Sequence, residues 1–158
     1  MTTDNKFPKP EKTRIVQMIF RILLGAFLIF TGVGHLTFAR AEFMAQVPSW
    51  LPLNGDLVVV LLGIAEIMLG LGLVFLAKQR VLFGLATAVF FVLIFPGNIS
   101  QYINRIDAFG LNTDQARFMR LFFQPLLVIW ALWATGAWSA LRAVKFNLRT
   151  MLSTAIGR

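Results

Sequence analysis

The chain has 158 residues, of which 58% are apolar and only 14% are charged, and its mean hydropathy is +0.74. Soluble domains average about 45–50% apolar and about 25% charged residues. A soluble globule of this size could not bury so much apolar surface, and a disordered chain would be far more polar. The composition therefore predicts a multi-pass membrane protein rather than a soluble enzyme.

The chain contains no cysteine and a single histidine, His35. The lack of cysteine excludes disulfides, thiolate catalysis and iron–sulfur clusters. One histidine excludes a bis-histidine haem or a multi-histidine metal centre within this chain. We therefore predict no metal site and no cofactor held by residues of this chain alone.

The formal net charge is +8. A nucleic-acid-binding protein collects its basic residues on a polar, water-exposed patch, whereas here they punctuate apolar segments. This arrangement is typical of anchoring beside anionic lipid headgroups. It predicts a lipid bilayer, and not nucleic acid, as the partner of the basic residues.

Four apolar segments are long enough to cross a bilayer as helices, at residues 15–39, 57–77, 81–102 and 121–141. Each supplies about 20 residues, which at about 1.5 Å per residue cross a hydrocarbon core of about 30 Å. None alternates apolar and polar residues in the manner of a barrel strand. The sequence therefore predicts an all-α fold, an antiparallel bundle of four transmembrane helices in residues 15–141.

Basic residues are distributed unequally between the two sides of this bundle. One side carries 11 of them, in residues 1–14, at Arg21, in the link 78–80 and in residues 142–158. The other side carries four: Arg40, Arg105, Arg117 and Arg120. The positive-inside rule then places a basic N-terminal segment, 1–14, and a basic tail, 142–158, in the cytoplasm. We expect a bacterial-type inner (plasma) membrane protein with both termini cytoplasmic.

The first apolar segment also resembles a signal peptide, because Ala39-Arg40-Ala41 is similar to a small-residue cleavage site. A signal peptide has an apolar core of about 7–15 residues, which is much shorter than this segment. We interpret the segment as a retained span.

The connections between the spans also carry structural signals. Residues 41–47, which precede two prolines in the first outer loop, are expected to form a short interfacial helix. The link Lys78-Gln79-Arg80 is so short that the second and third spans must form a tight hairpin.

The most informative residues are the polar ones inside the apolar segments: His35, Glu66, Asn98 and Gln124. Helical spacing places each on a face rich in small residues, which allow membrane helices to approach closely. These faces are therefore expected to pack against one another. A lone carboxyl group at mid-membrane depth is expensive and is normally paired, protonated or functional. We expect a polar pocket open to the outer face, with Glu66 at its floor.

Three further residues, Tyr102, Arg117 and Arg120, are candidates for the same pocket. Tyr102 continues the face of Asn98, and Pro96 is expected to kink the third span there. Arg117 and Arg120 lie at the predicted mouth of the fourth span, as basic partners for an anion or for Glu66.

A purely structural interpretation of these polar residues stays open. Asn98 and Gln124 are of the type that links membrane helices by hydrogen bonds worth about 1 kcal/mol or less. A structural hydrogen bond would also explain His35, and it explains Glu66 least well because a lone buried acid is costly.

Several motifs together resemble the DoxX-like family of small four-span membrane proteins. They are Gly34-His35, Pro48-Ser49-Trp50-Leu51-Pro52, Gly63-Ile64-Ala65-Glu66 with Gly70, Phe95-Pro96-Gly97-Asn98, and Arg120-Leu121-Phe122-Phe123-Gln124 leading into Trp130-Ala131-Leu132. The resemblance covers residues 15–140 and rests on the order and spacing of the motifs. Gly97 and the pair Phe122-Phe123 depart from it, since relatives often have alanine and proline there.

The resemblance implies an association with membrane redox enzymes, including quinone-reducing ones. The chain has no nucleotide-binding or phosphate-binding motif. Redox chemistry would therefore come from a quinone or from a partner subunit, and we expect no catalysis by this chain alone. If the protein is enzymatic, it is part of an oxidoreductase complex.

Three functions follow as hypotheses. The first is an accessory or quinone-interacting subunit of a membrane redox system, in which His35 donates a hydrogen bond and Glu66 relays a proton. The second is a small-solute or proton transporter, which with four spans would act as a homo-oligomer. The third is a membrane scaffold without a ligand.

Overall fold

The structure, a computed structural model, describes residues 14–144. Within this range it is all-helical and contains no strand, and four of its helices are long and apolar enough to cross a membrane. The prediction of an all-α fold with four helices able to cross a membrane is confirmed for these residues. Almost all of the predicted basic N-terminal segment, 1–14, and most of the predicted tail, 142–158, lie outside the described residues.

The described residues contain, in chain order, the helices α1 (Arg14–Leu36), α2 (Arg40–Met44), α3 (Gly55–Phe75), α4 (Arg80–Ile103) and α5 (Asp114–Thr135). Residues 137–144 are helical again. The short helix predicted in residues 41–47 is found as α2. The tight link between the second and third spans is a single 3₁₀ turn, Ala77–Gln79. α4 runs through Pro96 without an interruption.

The last long helix, α5, differs from the predicted span 121–141. It begins at Asp114, because the Thr113 hydroxyl accepts a hydrogen bond from the backbone N–H of Ala116 at 3.1 Å and so caps the helix. It ends at Thr135, because Gly136 adopts the left-handed conformation with φ of 76°. Arg117 and Arg120 consequently lie inside α5 and not in a loop before it.

Helices α1 and α3 form the most extensive helix contact within residues 14–144. Two glycine pairs bring their backbones together. A Cβ atom on Gly25 would lie 2.8 Å from the carbonyl oxygen of Gly70, and one on Gly32 would lie 2.7 Å from that of Gly63. Since no side chain larger than hydrogen fits at these positions, glycine determines how closely the two helices approach.

Helices α4 and α5 form the second extensive contact, and α1 with α5 and α3 with α4 pack less extensively. Gly84 of α4 accommodates the side chain of Thr135, which a Cβ atom on Gly84 would overlap. Leu24, Leu28 and Leu73 are fully buried between the helices, together with Phe91. These side chains form a close-packed apolar core.

Segments 37–54 and 104–113 meet at one end of the molecule, which we term the loop end. Glu42 accepts a hydrogen bond from the backbone N–H of Phe109 at 2.5 Å. The side-chain amide of Gln46 donates to Gln101 of α4 at 3.0 Å. Arg40 donates to Asp56 at 2.5 and 2.7 Å, and these hydrogen bonds raise the pKa of Arg40 above its usual value. The two segments therefore form one connected cover over the helix ends.

Candidate functional site

His35 and Glu66 form a buried pair between α1 and α3 near the loop end. Nδ1 of His35 lies 2.8 Å from Oε2 of Glu66, and each side chain is 7% exposed. Gly63 permits this approach, since a Cβ atom there would lie 2.7 Å from Cβ of His35. The structure thus brings together the two residues whose helical faces were predicted to meet.

A single ring nitrogen of this pair faces two oxygen atoms. Nδ1 of His35 also lies 3.0 Å from the carbonyl oxygen of Thr31, which accepts a hydrogen bond from Nδ1 when that nitrogen carries the proton. Oε2 of Glu66 has no hydrogen-bond donor among the described residues. A protonated Glu66 that donates to Nδ1 would satisfy the acid and would leave the imidazole proton on Nε2. The pair can therefore hold a proton on either partner.

The imidazole of His35 is held in place by an aromatic ring. Phe43 of α2 stacks on it with a centroid separation of 3.4 Å and an interplanar angle of 14°. Phe109 in turn contacts Phe43 at a centroid distance of 4.7 Å. The loop-end cover thus fixes the ring plane of His35.

A chain of hydrogen bonds connects α4 with α5 beside this pair. Nε of Arg120 donates to Oδ1 of Asn98 at 3.3 Å. Nδ2 of Asn98 donates to Oε1 of Gln124 at 2.9 Å, and Nε2 of Gln124 donates to the carbonyl oxygen of Phe91 at 2.6 Å. Asn98 and Gln124 are buried and bonded to each other, so these contacts fit the structural role of an interhelical link.

The two arginines of α5 differ in their partners. Arg117 contacts Asp107 at 2.5 Å and Asp114 at 2.8 Å. Arg120 has no carboxylate within ion-pair distance in residues 14–144, and its guanidinium lies 5.1 Å from the centroid of the Phe109 ring. Neither arginine contacts Glu66, which was one of the two partners expected for them, because acidic residues near the start of α5 hold Arg117, and Asn98 and Phe109 hold Arg120.

A cavity of about 260 Å³ lies between α1, α3, α4, α5 and the segment that follows α2. Its polar lining residues are His35, Gln46, Asn98, Arg120 and Gln124. Its apolar lining includes Leu62 and Phe90, and also Leu93 and Trp50, which are 71% and 67% exposed. Because exposed apolar side chains bound it, the cavity opens toward the lipid-facing surface. We call it the His35 cavity.

Three of the predicted site residues do not line the His35 cavity. Glu66 was expected at its floor, but it lies behind His35 and reaches the cavity only through the imidazole. Tyr102 packs instead on Phe118, with a centroid distance of 5.7 Å. Arg117 is turned toward its two aspartates. In each case a closer partner determines where the side chain points.

Sequence reasoning missed the contribution of the first loop to the site. Phe43, Gln46 and Trp50 all line the cavity, whereas the sequence indicated only a short interfacial helix in this loop. The available signal for this contribution was the apolar side chains of the segment. An apolar residue near a membrane surface contacts either lipid or another part of the protein.

A second cavity, of about 500 Å³, lies between α1 and α5. Phe27 of α1 and Ala116, Met119 and Phe123 of α5 line it. Arg120, Gln124 and Leu127 line both cavities, so they form the wall between them. We call the second cavity the α1–α5 groove. Within residues 14–144 no cluster of metal-ligating side chains occurs.

Residues 24–135 match a family model described as a domain of unknown function (DUF8561). The chain belongs to this family. It matches no curated protein and no solved structure. Since the family description names no activity, a function has to be inferred from the geometry of the site.

Proposed function

We propose that the protein is a quinone-binding accessory subunit of a membrane redox system, and that the His35 cavity is its binding site. The observation that carries this proposal is the combination of apolar walls, a polar end and an opening toward lipid in one cavity. A quinone requires an apolar slot for its ring and hydrogen-bond donors for its carbonyl oxygens. Nε2 of His35 has no hydrogen-bond partner within residues 14–144 and is therefore available as such a donor.

The His35–Glu66 pair supports a proton-relay role for the site. When Glu66 donates its proton to Nδ1, the imidazole can pass the proton on Nε2 to an oxygen atom of the ligand. The net result is transfer of one proton from Glu66 to the ligand across a single ring. Electrons would come from a partner subunit.

The size and opening of the cavity favour a lipid-soluble ligand. Its 260 Å³ is close to the lower end of ligand sites, which span about 300–1,000 Å³. Such a volume suits a ring-sized headgroup, while an attached tail would leave past Leu93 into the hydrocarbon.

Transport by this chain is less well supported than binding. A pathway would need polar groups along the whole length of the helices. On the side of the His35 cavity away from the loop end, Leu24, Leu28 and Leu73 are fully buried, and Arg21 donates to the carbonyl oxygen of Leu73. A scaffold without a ligand would leave the cavity unexplained.

We further propose that the protein is an antiparallel four-helix bundle in a bacterial-type inner membrane, with both termini cytoplasmic and the loop end outside. The distribution of basic residues supports this orientation. Because the chain has no cysteine, single-cysteine variants report topology directly. In intact cells a membrane-impermeant maleimide should label Asn112→Cys and not Lys78→Cys, and the reverse pattern would invert the proposed orientation.

Quinone binding is tested with the purified protein in lipid nanodiscs. Trp50 lines the cavity, so decylubiquinone should quench its fluorescence in a saturable manner. Leu62→Phe should weaken this binding at least about tenfold by filling the cavity, and His35→Gln should weaken it by about the same factor through a lost hydrogen bond. Leu126→Phe, on the exposed face of α5, is the matched control. Equal affinity in the wild type and Leu62→Phe would refute the proposed site.

A further inference from the structure

The α1–α5 groove has a lining suited to a lipid chain with an anionic head. Phe27, Met119 and Phe123 border it and are 43%, 52% and 60% exposed. Since these side chains lie on membrane-spanning helices, acyl chains are the material that surrounds them. Arg120 is the cationic residue in this otherwise mainly apolar lining.

We propose that the α1–α5 groove binds one acyl chain of an anionic phospholipid, and that Arg120 binds the lipid phosphate. This proposal is separate from quinone binding, because it concerns the other side of the wall formed by Arg120, Gln124 and Leu127. The two sites share the side chain of Arg120.

Charge is the first argument for the anionic head. The other arginines of the loop end, Arg40, Arg105 and Arg117, each lie within 4.0 Å of an aspartate, at 2.5, 3.8 and 2.5 Å. Arg120 is more enclosed than Arg105 and has no such partner within residues 14–144. A partly buried guanidinium without a counter-ion is unfavourable, and a phosphate supplies one in a geometry that arginine matches with two parallel hydrogen bonds.

The position of the guanidinium is the second argument. Side chains on a helix tilt toward its N-terminus, which for α5 is the loop end. The guanidinium of Arg120 accordingly reaches the Phe109 ring in segment 104–113. Nε is engaged with Asn98, so the two terminal nitrogens remain to bind a phosphate at headgroup level.

A second copy of this chain fits the groove less well. In a two-fold symmetric pair the same groove would face itself and bring two Arg120 side chains together without a carboxylate between them. Like charges in such a contact repel each other, whereas a lipid phosphate neutralises the charge.

Native mass spectrometry of the delipidated protein in mild detergent tests the proposal. The probes are dioleoyl phosphatidylglycerol and dioleoyl phosphatidylcholine, which have the same chains and differ in net headgroup charge. The wild type should retain phosphatidylglycerol at least about fivefold more strongly. Arg120→Gln should remove this preference, and Arg120→Lys should keep most of it. Arg105→Gln, which also removes one positive charge, is the matched control and should keep the preference.

A second variant addresses the groove without changing the charge. Ala116→Phe fills it and should weaken retention of both lipids at least about threefold. Leu62→Phe, which blocks the His35 cavity, should leave the lipid preference unchanged, so the failure of one proposal is distinguishable from the failure of the other. The lipid site would be overturned if Arg120→Gln kept the preference for phosphatidylglycerol, or if Arg105→Gln lost the preference to the same extent. Displacement of phosphatidylglycerol by inorganic phosphate alone would also overturn it.

Discussion

The two extensive helix contacts of this protein are built in different ways. Between α1 and α3, glycine pairs bring backbone against backbone, and the shape of the helices determines their spacing. Between α4 and α5, buried amide side chains connect Asn98 to Gln124 and Gln124 to a backbone carbonyl. The first contact positions the His35–Glu66 pair, and the second positions Arg120. The His35 cavity lies where these two contacts meet.

This difference implies unequal sensitivity to mutation. A backbone contact cannot relax by a change of rotamer, so a single added methyl group must separate the helices. A hydrogen bond between side chains in a membrane contributes only about 0.6 kcal/mol on average, because the same groups also find hydrogen-bond partners in the unfolded state within the membrane. We therefore expect the α1–α3 contact to be the more fragile of the two.

The largest effect is expected at Gly70. A Cβ atom there would lie 2.6 Å from the carbonyl oxygen of Gly25 and 3.0 Å from the backbone nitrogen of Ile29. Gly70→Ala should lower the free energy of unfolding by about 2–3 kcal/mol, measured by reversible denaturation in detergent. Gly55→Ala is the control, since its nearest neighbour is at 3.9 Å. If both substitutions proved harmless, close glycine packing would not determine the α1–α3 spacing.

An intermediate effect is expected at Gln124. Gln124→Leu removes the acceptor of Asn98 and the donor to the carbonyl of Phe91, at nearly constant side-chain size. The free energy of unfolding should fall by about 1 kcal/mol. Gln115→Leu, at an exposed position of the same helix, should leave it nearly unchanged. A loss as large as that of Gly70→Ala would mean that the two helix contacts are equally fragile.

The smallest effect is expected at Thr135. Its hydroxyl donates to the carbonyl oxygen of Ala131 within the same helix, at 2.7 Å. Thr135→Val keeps the shape that fits against Gly84 and should change the free energy of unfolding by no more than about 0.6 kcal/mol. Thr135→Leu, which enlarges the side chain, should lower the free energy of unfolding clearly more than Thr135→Val in the same denaturation experiment. Equal stability of the two variants would show that shape is unimportant at this contact.

The polar site was predictable in part. Regular spacing placed Gly63 and Glu66 on one face of α3, and Gly32 and His35 on one face of α1, so their meeting followed from helical geometry. Helical geometry did not predict the partner of each arginine. Arg117 and Arg120 lie in the same helix and have the same chemistry, and only the fold of segment 104–113 decides that Asp107 reaches the first and Phe109 the second.

The boundaries of α5 were also only partly predictable from the sequence. Hydropathy placed a span at 121–141, because hydropathy measures the tendency of residues to enter lipid. It contains no information on the residues that cap the ends of a helix. The hydroxyl of Thr113 and the left-handed backbone of Gly136 instead set the ends of the helix. Asp114, Arg117 and Arg120 are helical although they are charged, since polar residues can extend a helix beyond the apolar segment.

Local composition and periodicity determined the helical class, the number of candidate spans and the faces that carry the polar residues, because each of these depends on neighbours along the chain. Tertiary structure alone decided that Glu66 lies behind His35, that Phe43 stacks on the imidazole and that Arg120 forms a wall between two cavities. These contacts join residues far apart in sequence, and their geometry depends on how closely whole helices pack.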